Sequence, residues 1–300
     1  MKRFAFLLGV AAAVLSLWTA TAASQPLHPT SNSTVPSNFT ILPSCQLQSR
    51  VLKRFFTYTL APGQALADSV MVVNPSKTSP LTVRLSVSDA VTQPQGGGIT
   101  FNDVHRQHQI GRWMHISLAT VTVAPYHIMC VPVSLHLPST VRPGEYEGAV
   151  NAINARFTTL TSNQMSARVY VNRQVLVVVR VPGRASAGLR ITRVGVTALD
   201  HHVVLSFVLK NTGTLIDYPV ATVLTFARAA RRYTLQTVVG TIIDGDSTVV
   251  PLALDRVVPA GTYRVSIQII YQAKPAAEGS LRSLKSTWQG ALPVPKGPRQ

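Results

Sequence analysis

Leu81-Thr82-Val83-Arg84-Leu85-Ser86-Val87 alternates apolar and polar side chains at every step. A period of two places one set of side chains on one face of an extended chain, so this stretch predicts a strand with a single buried face. Short apolar runs of similar kind recur at 51–60, 67–74, 120–123, 128–137, 146–153 and 170–181. Beyond the middle they continue at 189–198, 203–209, 220–226, 235–241, 247–254, 263–271 and 286–294. Turn residues such as Pro62-Gly63, Asn74-Pro75 and Gly96-Gly97-Gly98 separate them. Residues 102–112 carry His, Arg and Gln without an apolar period and predict a surface loop. Many short strands with turn signals at roughly eight- to twelve-residue spacing predict an all-β fold of the sandwich type.

One phrase occurs twice. Pro143-Gly144-Glu145-Tyr146 opens the run 147–152, and Pro259-Ala260-Gly261-Thr262-Tyr263 opens the run 264–269. In each, a Pro and a Gly make a tight turn and a Tyr stands at the head of a strand. Immunoglobulin-like sandwiches place a Tyr near the start of a late strand, its hydroxyl bonded back to the chain upstream. Two copies predict two such antiparallel sandwiches in tandem. Asn74 and Asn211 each close a strand before a polar loop, which is a second echo. Asn suits such ends because its side chain bonds the local backbone. The expected sandwiches span 45–182 and 187–295, joined by Pro182-Gly183-Arg184-Ala185-Ser186. A linker this short predicts that they touch or hold a restricted angle.

The N-terminus changes the setting. Lys2-Arg3, an apolar run at 4–17 and Ala20-Thr21-Ala22 form a positive region, a hydrophobic region and a small-residue cleavage site. Residues 1–22 are therefore expected to be a signal peptide, and 23–44, rich in Ser, Thr, Asn and Pro, a flexible linker. The apolar run is too short for a standard bilayer span, and no later segment is apolar enough to serve as a transmembrane anchor. The expected location is extracellular or associated with the cell wall. In this setting Cys45 and Cys130 form either a disulfide or a pair of buried thiols, and both readings stand.

The chain carries 28 basic and 11 acidic residues, a formal charge of +17. Such a charge draws a protein toward polyanions. For an exported protein these are wall polymers, acidic glycans or anionic lipids rather than nucleic acid. A scarcity of acids suited to an acidic habitat explains the same number. Arg228, Arg231 and Arg232 form the densest basic spot and are the candidate polyanion contact.

Candidate catalytic chemistry is sparse. The sequence contains no Gly-x-Ser-x-Gly, Walker loop or His-Glu-x-x-His. His105 and His108 offer two nitrogens, too few for a zinc site. His201-His202 sits at an expected hairpin tip. Glu145 and Glu147 flank Tyr146 on one strand face, where a carboxylate pair could do acid–base work on glycosides, but a strand beside a turn predicts a solvated edge. Asp244 and Asp246 bracket Gly245 and read as a hairpin, since calcium needs six to eight oxygens. No catalytic residue, cofactor or metal is expected. Trp113 and Trp288 read as core aromatics, with sugar stacking as the alternative.

Phe55-Phe56-Thr57-Tyr58-Thr59-Leu60-Ala61-Pro62-Gly63-Gln64, Asp89-Ala90-Val91-Thr92, Ala124-Pro125, Val131-Pro132-Val133 and the 143–148 phrase together resemble the N-terminal domain of the WxL-interacting proteins of Gram-positive bacteria. Residues 205–213, the 259–263 phrase and Trp288 resemble that family's second domain. The resemblance implies tandem immunoglobulin-like domains on the cell surface, the first associated with peptidoglycan and the second with host or matrix proteins, partnered by WxL-domain wall proteins. Family members usually end in a membrane helix, whereas this chain ends Lys296-Gly297-Pro298-Arg299-Gln300. The expected function is a non-enzymatic surface adaptor that binds peptidoglycan or an anionic wall polymer and WxL-type proteins. The alternatives are an extracytoplasmic chaperone or assembly factor for surface proteins and, third, a glycan-active enzyme.

Overall fold

The computed structural model describes residues 28–29, 38–45, 54–101, 107–162, 165–199, 202–254, 258–273 and 282–294. The expected signal peptide, most of the 23–44 linker, His105 and His201 lie outside them.

The chain is two immunoglobulin-like antiparallel sandwiches in tandem. The first begins with β1 (His28–Pro29), β2 (Thr40–Pro43), β3 (Phe56–Thr59), β4 (Ala65–Val73) and β5 (Leu81–Asp89). It continues through β6 (Val91–Thr92), β7 (Ile99–Thr100), the short helix α1 (Ile110–Trp113), β8 (Met114–Ile116), β9 (Thr120–Val123) and β10 (Ile128–His136). It ends with β11 (Gly144–Asn154), β12 (Thr158–Ser162), β13 (Met165–Val169) and β14 (Asn172–Val181). One layer has the order β2-β4-β10-β8 and the facing layer β3-β14-β11-β5-β9. β3 runs parallel to β14, Phe56 opposite Val177, and the other pairs in these two layers are antiparallel.

The second sandwich comprises β15 (Leu189–Leu199), β16 (His202–Asn211), β17 (Tyr218–Arg228), β18 (Arg231–Thr237), β19 (Ser247–Leu254), β20 (Gly261–Ala273) and β21 (Arg282–Val294). Its layers are β15-β16-β19 and β18-β17-β20-β21. Each sandwich has its own core. Val70, Val83, Val131, Leu135, Val150 and Val177 lie in one, and Leu205, Phe207, Leu224, Phe226, Ile267 and Ile269 in the other.

Both tyrosines of the repeated phrase make the expected bond. Tyr146 Oη donates to the Arg142 carbonyl and Tyr263 Oη to the Pro259 carbonyl, each at 2.9 Å and each four residues upstream. The asparagines repeat as well. Asn74 Oδ1 accepts the Ser76 N–H and Asn211 Oδ1 accepts the Gly213 N–H, while both amide groups donate to distant loop carbonyls. One side chain thus ties three chain segments together at the same place in each sandwich.

Four local expectations change. Thr40–Pro43, placed in the linker, is a strand on β4, because Phe39 and Ile41 alternate into the core. The 102–112 loop contains α1, whose Ile110 is fully buried. Thr158–Ser162 and Met165–Val169, left without an element, pair antiparallel as β12 and β13. The strand expected at 235–241 lies earlier, at Arg231–Thr237, because the hairpin with β17 pairs Arg228 with Arg231 and fixes the register.

Candidate functional site

The two sandwiches meet through a hydrogen-bonded joint. Residues 92–98 of the first lie against 240–249 of the second. Gly96 N donates to the Val249 carbonyl and Val249 N to the Pro94 carbonyl, both at 2.8 Å. Gly98 N reaches Thr241 O at 2.9 Å and Gly240 N reaches Gly96 O at 2.8 Å. Gln95 and Val249 form a parallel bridge, so the joint is built like sheet. Side chains complete it. Thr248 Oγ1 accepts the Gly97 N–H and donates to the Gln93 carbonyl, both at 2.9 Å. Thr92 Oγ1 accepts the Ile243 N–H at 3.0 Å, and Asp246 Oδ2 accepts the Thr92 N–H at 2.9 Å. Gly97 has φ +72°, and a Cβ there would stand 2.6 Å from the Gly240 carbonyl oxygen. Sequence reading sees the three glycines as a turn; their second role is to let two backbones approach.

Buried acids line the other side of the joint. Glu145 N donates to the Thr214 carbonyl at 3.2 Å, and its Oε1 accepts Arg180 Nε at 3.0 Å across the β11–β14 pair. Glu147 Oε1 receives the Tyr218 hydroxyl of the second sandwich at 3.5 Å. Asp217 Oδ2 accepts the N–H of Gly188, just past the linker, at 3.4 Å. Glu145, Glu147 and Asp217 are 3%, 4% and 0% exposed, which corrects the solvated edge expected for the glutamates. The outer face of β11 is not solvent: the second sandwich covers it. Glu145 Oε2, Glu147 Oε2 and Asp217 Oδ1 are buried and have no hydrogen-bond partner.

Burial is the main cause of the unusual acidities here, because it disfavours the charged form. It raises Glu147 to about 7, helped by the charge of Glu145 and opposed by the Tyr218 hydroxyl. It raises Asp217 to about 7, opposed by the Gly188 N–H and helped by Asp244. Asp244 is itself raised by burial and by Asp246, against the pull of Arg142. Tyr218 is pushed well above the ordinary phenol range, first by burial and then by the two glutamates.

The remaining candidates are dispersed. Cys45 and Cys130 are joined in a disulfide with Cα atoms 5.9 Å apart, clamping the end of β2 to β10. Arg228 Nη1 donates to the Ala260 carbonyl, and its guanidinium lies 5.8 Å from the centre of the Tyr263 ring. Arg228 and Arg231 are backbone register partners at the β17–β18 turn, and Arg232 is exposed. Trp113 packs edge-on against Tyr146 at 5.0 Å, and Trp288 packs against the second core. His108 serves through its backbone N–H, which donates to Asp89. The sequence alone gives no site role to Asp89, Asp217 or Tyr218; Tyr218 lies 71 positions beyond Glu147, and only the fold brings the two together.

No known protein-family profile matches the chain, and no curated protein matches it. Among solved structures it is similar to the class 5 fimbriae chaperone CfaA, at 11% identity and TM-score 0.38, over 83% of this chain and 98% of that one. It is similar to a structure of the CsuC–CsuE chaperone–tip adhesion subunit pre-assembly complex of Acinetobacter baumannii, at 12% identity and TM-score 0.39, over 82% and 97%. It is also similar to the E. coli chaperone DraB, at 11% identity and TM-score 0.38, over 83% and 95%. These likenesses fix no residue role in this chain. No family profile matches the chain, that of the WxL-interacting proteins included, so the resemblance to that family is corrected. The adaptor for peptidoglycan or anionic wall polymers, and the WxL-domain partners, fall with it.

Proposed function

We propose that this protein is a non-catalytic, exported chaperone or assembly factor that holds surface proteins by sheet extension. One observation carries the reading. Among the described residues the edge of β14 is open along 172–176: β3 pairs with Val177–Arg180, and no described residue pairs with 172–176 on that side. Asn172, Arg173 and Gln174 are exposed along it, and Phe55, 47% exposed, stands where β3 leaves the edge. An edge of this kind accepts an extended partner strand through main-chain hydrogen bonds, with an apolar neighbour to grip an alternate side chain. The reading agrees with the role of the fimbrial chaperones named above and rests on this chain's own edge. The main-chain hydrogen bonds of the joint hold the two sandwiches together, which suits a carrier. Among the described residues no helix is long and apolar enough to cross a membrane.

The test is to release a β-sandwich surface subunit lacking one edge strand from denaturant in the presence of the protein. Light scattering is expected to fall, and amides 172–176 to gain hydrogen-exchange protection. Undiminished aggregation with no new protection at that edge overturns the reading.

A further inference from the structure

Acids are scarce in this chain and unevenly placed. Of 11 Asp and Glu residues, Glu145, Glu147, Asp217, Asp244 and Asp246 gather where the sandwiches meet. The facing groups can be enumerated. Glu147 on β11 faces Glu145 on its own strand, Tyr218 of β17, and Arg180 of β14 beyond them. Asp217 faces the Gly188 N–H and the charge of Asp244. Asp244 faces Asp246 and Arg142. Among the described residues, Arg180 and Arg142 are the cations seen to act on this group. Arg180 is taken up by Glu145, and Arg142 acts on Asp244. Glu147 and Asp217 are left with an oxygen each that is out of water and unbonded.

A joint made this way is at odds with itself when every acid is ionised. Like charges repel strongly where water is excluded, and an unpaired buried charge is costly. A proton on Glu147 or Asp217 removes both penalties. We propose that the joint is a proton-operated latch, shut while Glu147 and Asp217 are protonated and loosened when both are charged. The inference concerns the angle between the sandwiches and is independent of any client at β14.

The direction follows from linkage. The docked state holds these protons more tightly than separated sandwiches do. Docking is therefore most favourable at and below the ordinary carboxylate range. It weakens as pH climbs from there to about 7, and is level above that.

Hydrogen exchange on the full chain tests the latch without any client, with labelling times scaled to the intrinsic rate at each pH. The amides of Gly96, Gly98, Gly240 and Val249 report the joint, because each donates across it. Those of Ala149 and Val177 in β11 and β14 report the first core. Joint protection is expected to fall at least about tenfold between pH 5 and pH 8, the equivalent of one pKa unit, with core protection unchanged. The double variant Glu147→Gln, Asp217→Asn carries the neutral forms permanently and is expected to keep its pH 5 protection at pH 8. If it does not fold, each single variant is expected to show a reduced fall. Equal protection of the wild-type joint at both pH values overturns the latch. So does a fall that the core amides share, or one that the neutral variants retain in full.

Discussion

The Asp89 carboxylate accepts the backbone N–H of Gly111 at 2.7 Å from 22 residues away in sequence. The same carboxylate accepts the N–H groups of His108 and Gln109, and the Asp89 N–H is itself donated to Gln107 Oε1 at 2.7 Å. Asp89 therefore supplies the side-chain cap that the N-cap residue Gln109 does not give α1, and it does so at the end of β5 beside the centre of the sheet. The anchored helix presses Ile110 onto β11 at Gly148, where a Cβ would stand 2.6 Å from Ile110 Cβ. Asp89→Ala removes the charged acceptor of the part-buried N–H groups of His108, Gln109 and Gly111. It is expected to destabilise the first sandwich by about 1.5–3 kcal/mol, the range for hydrogen bonds to a charged group. Urea unfolding measures it, and proteolysis within 102–112 is expected to accelerate.

The paired tyrosine corners make a sharper comparison. Tyr263→Phe removes only the hydroxyl that reaches Pro259, leaving the ring stacked on Phe226 at a 4.2 Å centroid separation. The expected cost is about 1 kcal/mol, as for one lost hydrogen bond, and it falls on the second sandwich. Tyr146→Phe removes the matching bond to Arg142 at a site where the ring meets Trp113. A similar cost is expected in the first sandwich. Site-resolved hydrogen exchange assigns each loss: amides of β20 respond to the first variant and amides of β11 to the second.

These tyrosines also show what the sequence made legible. A Pro–Gly turn and a Tyr within five residues form a local device, so both corners could be read without knowing the fold. The alternating runs gave most strands for the same reason. Glu145 and Glu147 were misread because a period of two reports which residues share a face, not what covers it. The cover is the second sandwich, brought there by 92–98 and by Tyr218, 71 positions beyond Glu147. Thr40–Pro43 was hidden by its neighbours: two core residues, Phe39 and Ile41, sit in a stretch otherwise rich in Ser, Asn and Pro. The bare edge of β14 depends on how far β3 runs beside it, a pairing between segments about 120 positions apart.

The disulfide joins segments 85 positions apart, and Cys45 N also donates to Ser69 Oγ at 2.9 Å. The covalent bond and the short β2–β4 ladder therefore hold the same end of the first sandwich. Closing a loop of that size restricts the unfolded chain, and losses of about 2–4 kcal/mol are typical on removing such a bond. Cys45→Ser with Cys130→Ser is expected to lower the denaturation midpoint of the first sandwich and leave that of the second in place. Reduction of the wild type is expected to reproduce the shift. A loss shared equally by both sandwiches would mean that the joint transmits stability between them.

Gly97→Ala separates the joint from the sandwiches it connects. The new Cβ meets the Gly240 carbonyl oxygen, and the residue must also keep φ +72°. Either the 92–98 segment shifts or the backbone leaves the left-handed region, and both break the bonds from Gly96 and Gly98 to Val249 and Thr241. Strain of this kind costs on the order of 1–3 kcal/mol. Gly97 belongs to neither core cluster, so the cost is expected to fall on docking alone. Small-angle scattering is expected to show a broader distribution of shapes, with far-ultraviolet circular dichroism unchanged. The same variant is expected to lose the pH response of the joint amides, because a latch already open has nothing left to release. A Gly97→Ala protein that keeps wild-type joint protection would show that the Gly97–Gly240 approach does not hold the two sandwiches together.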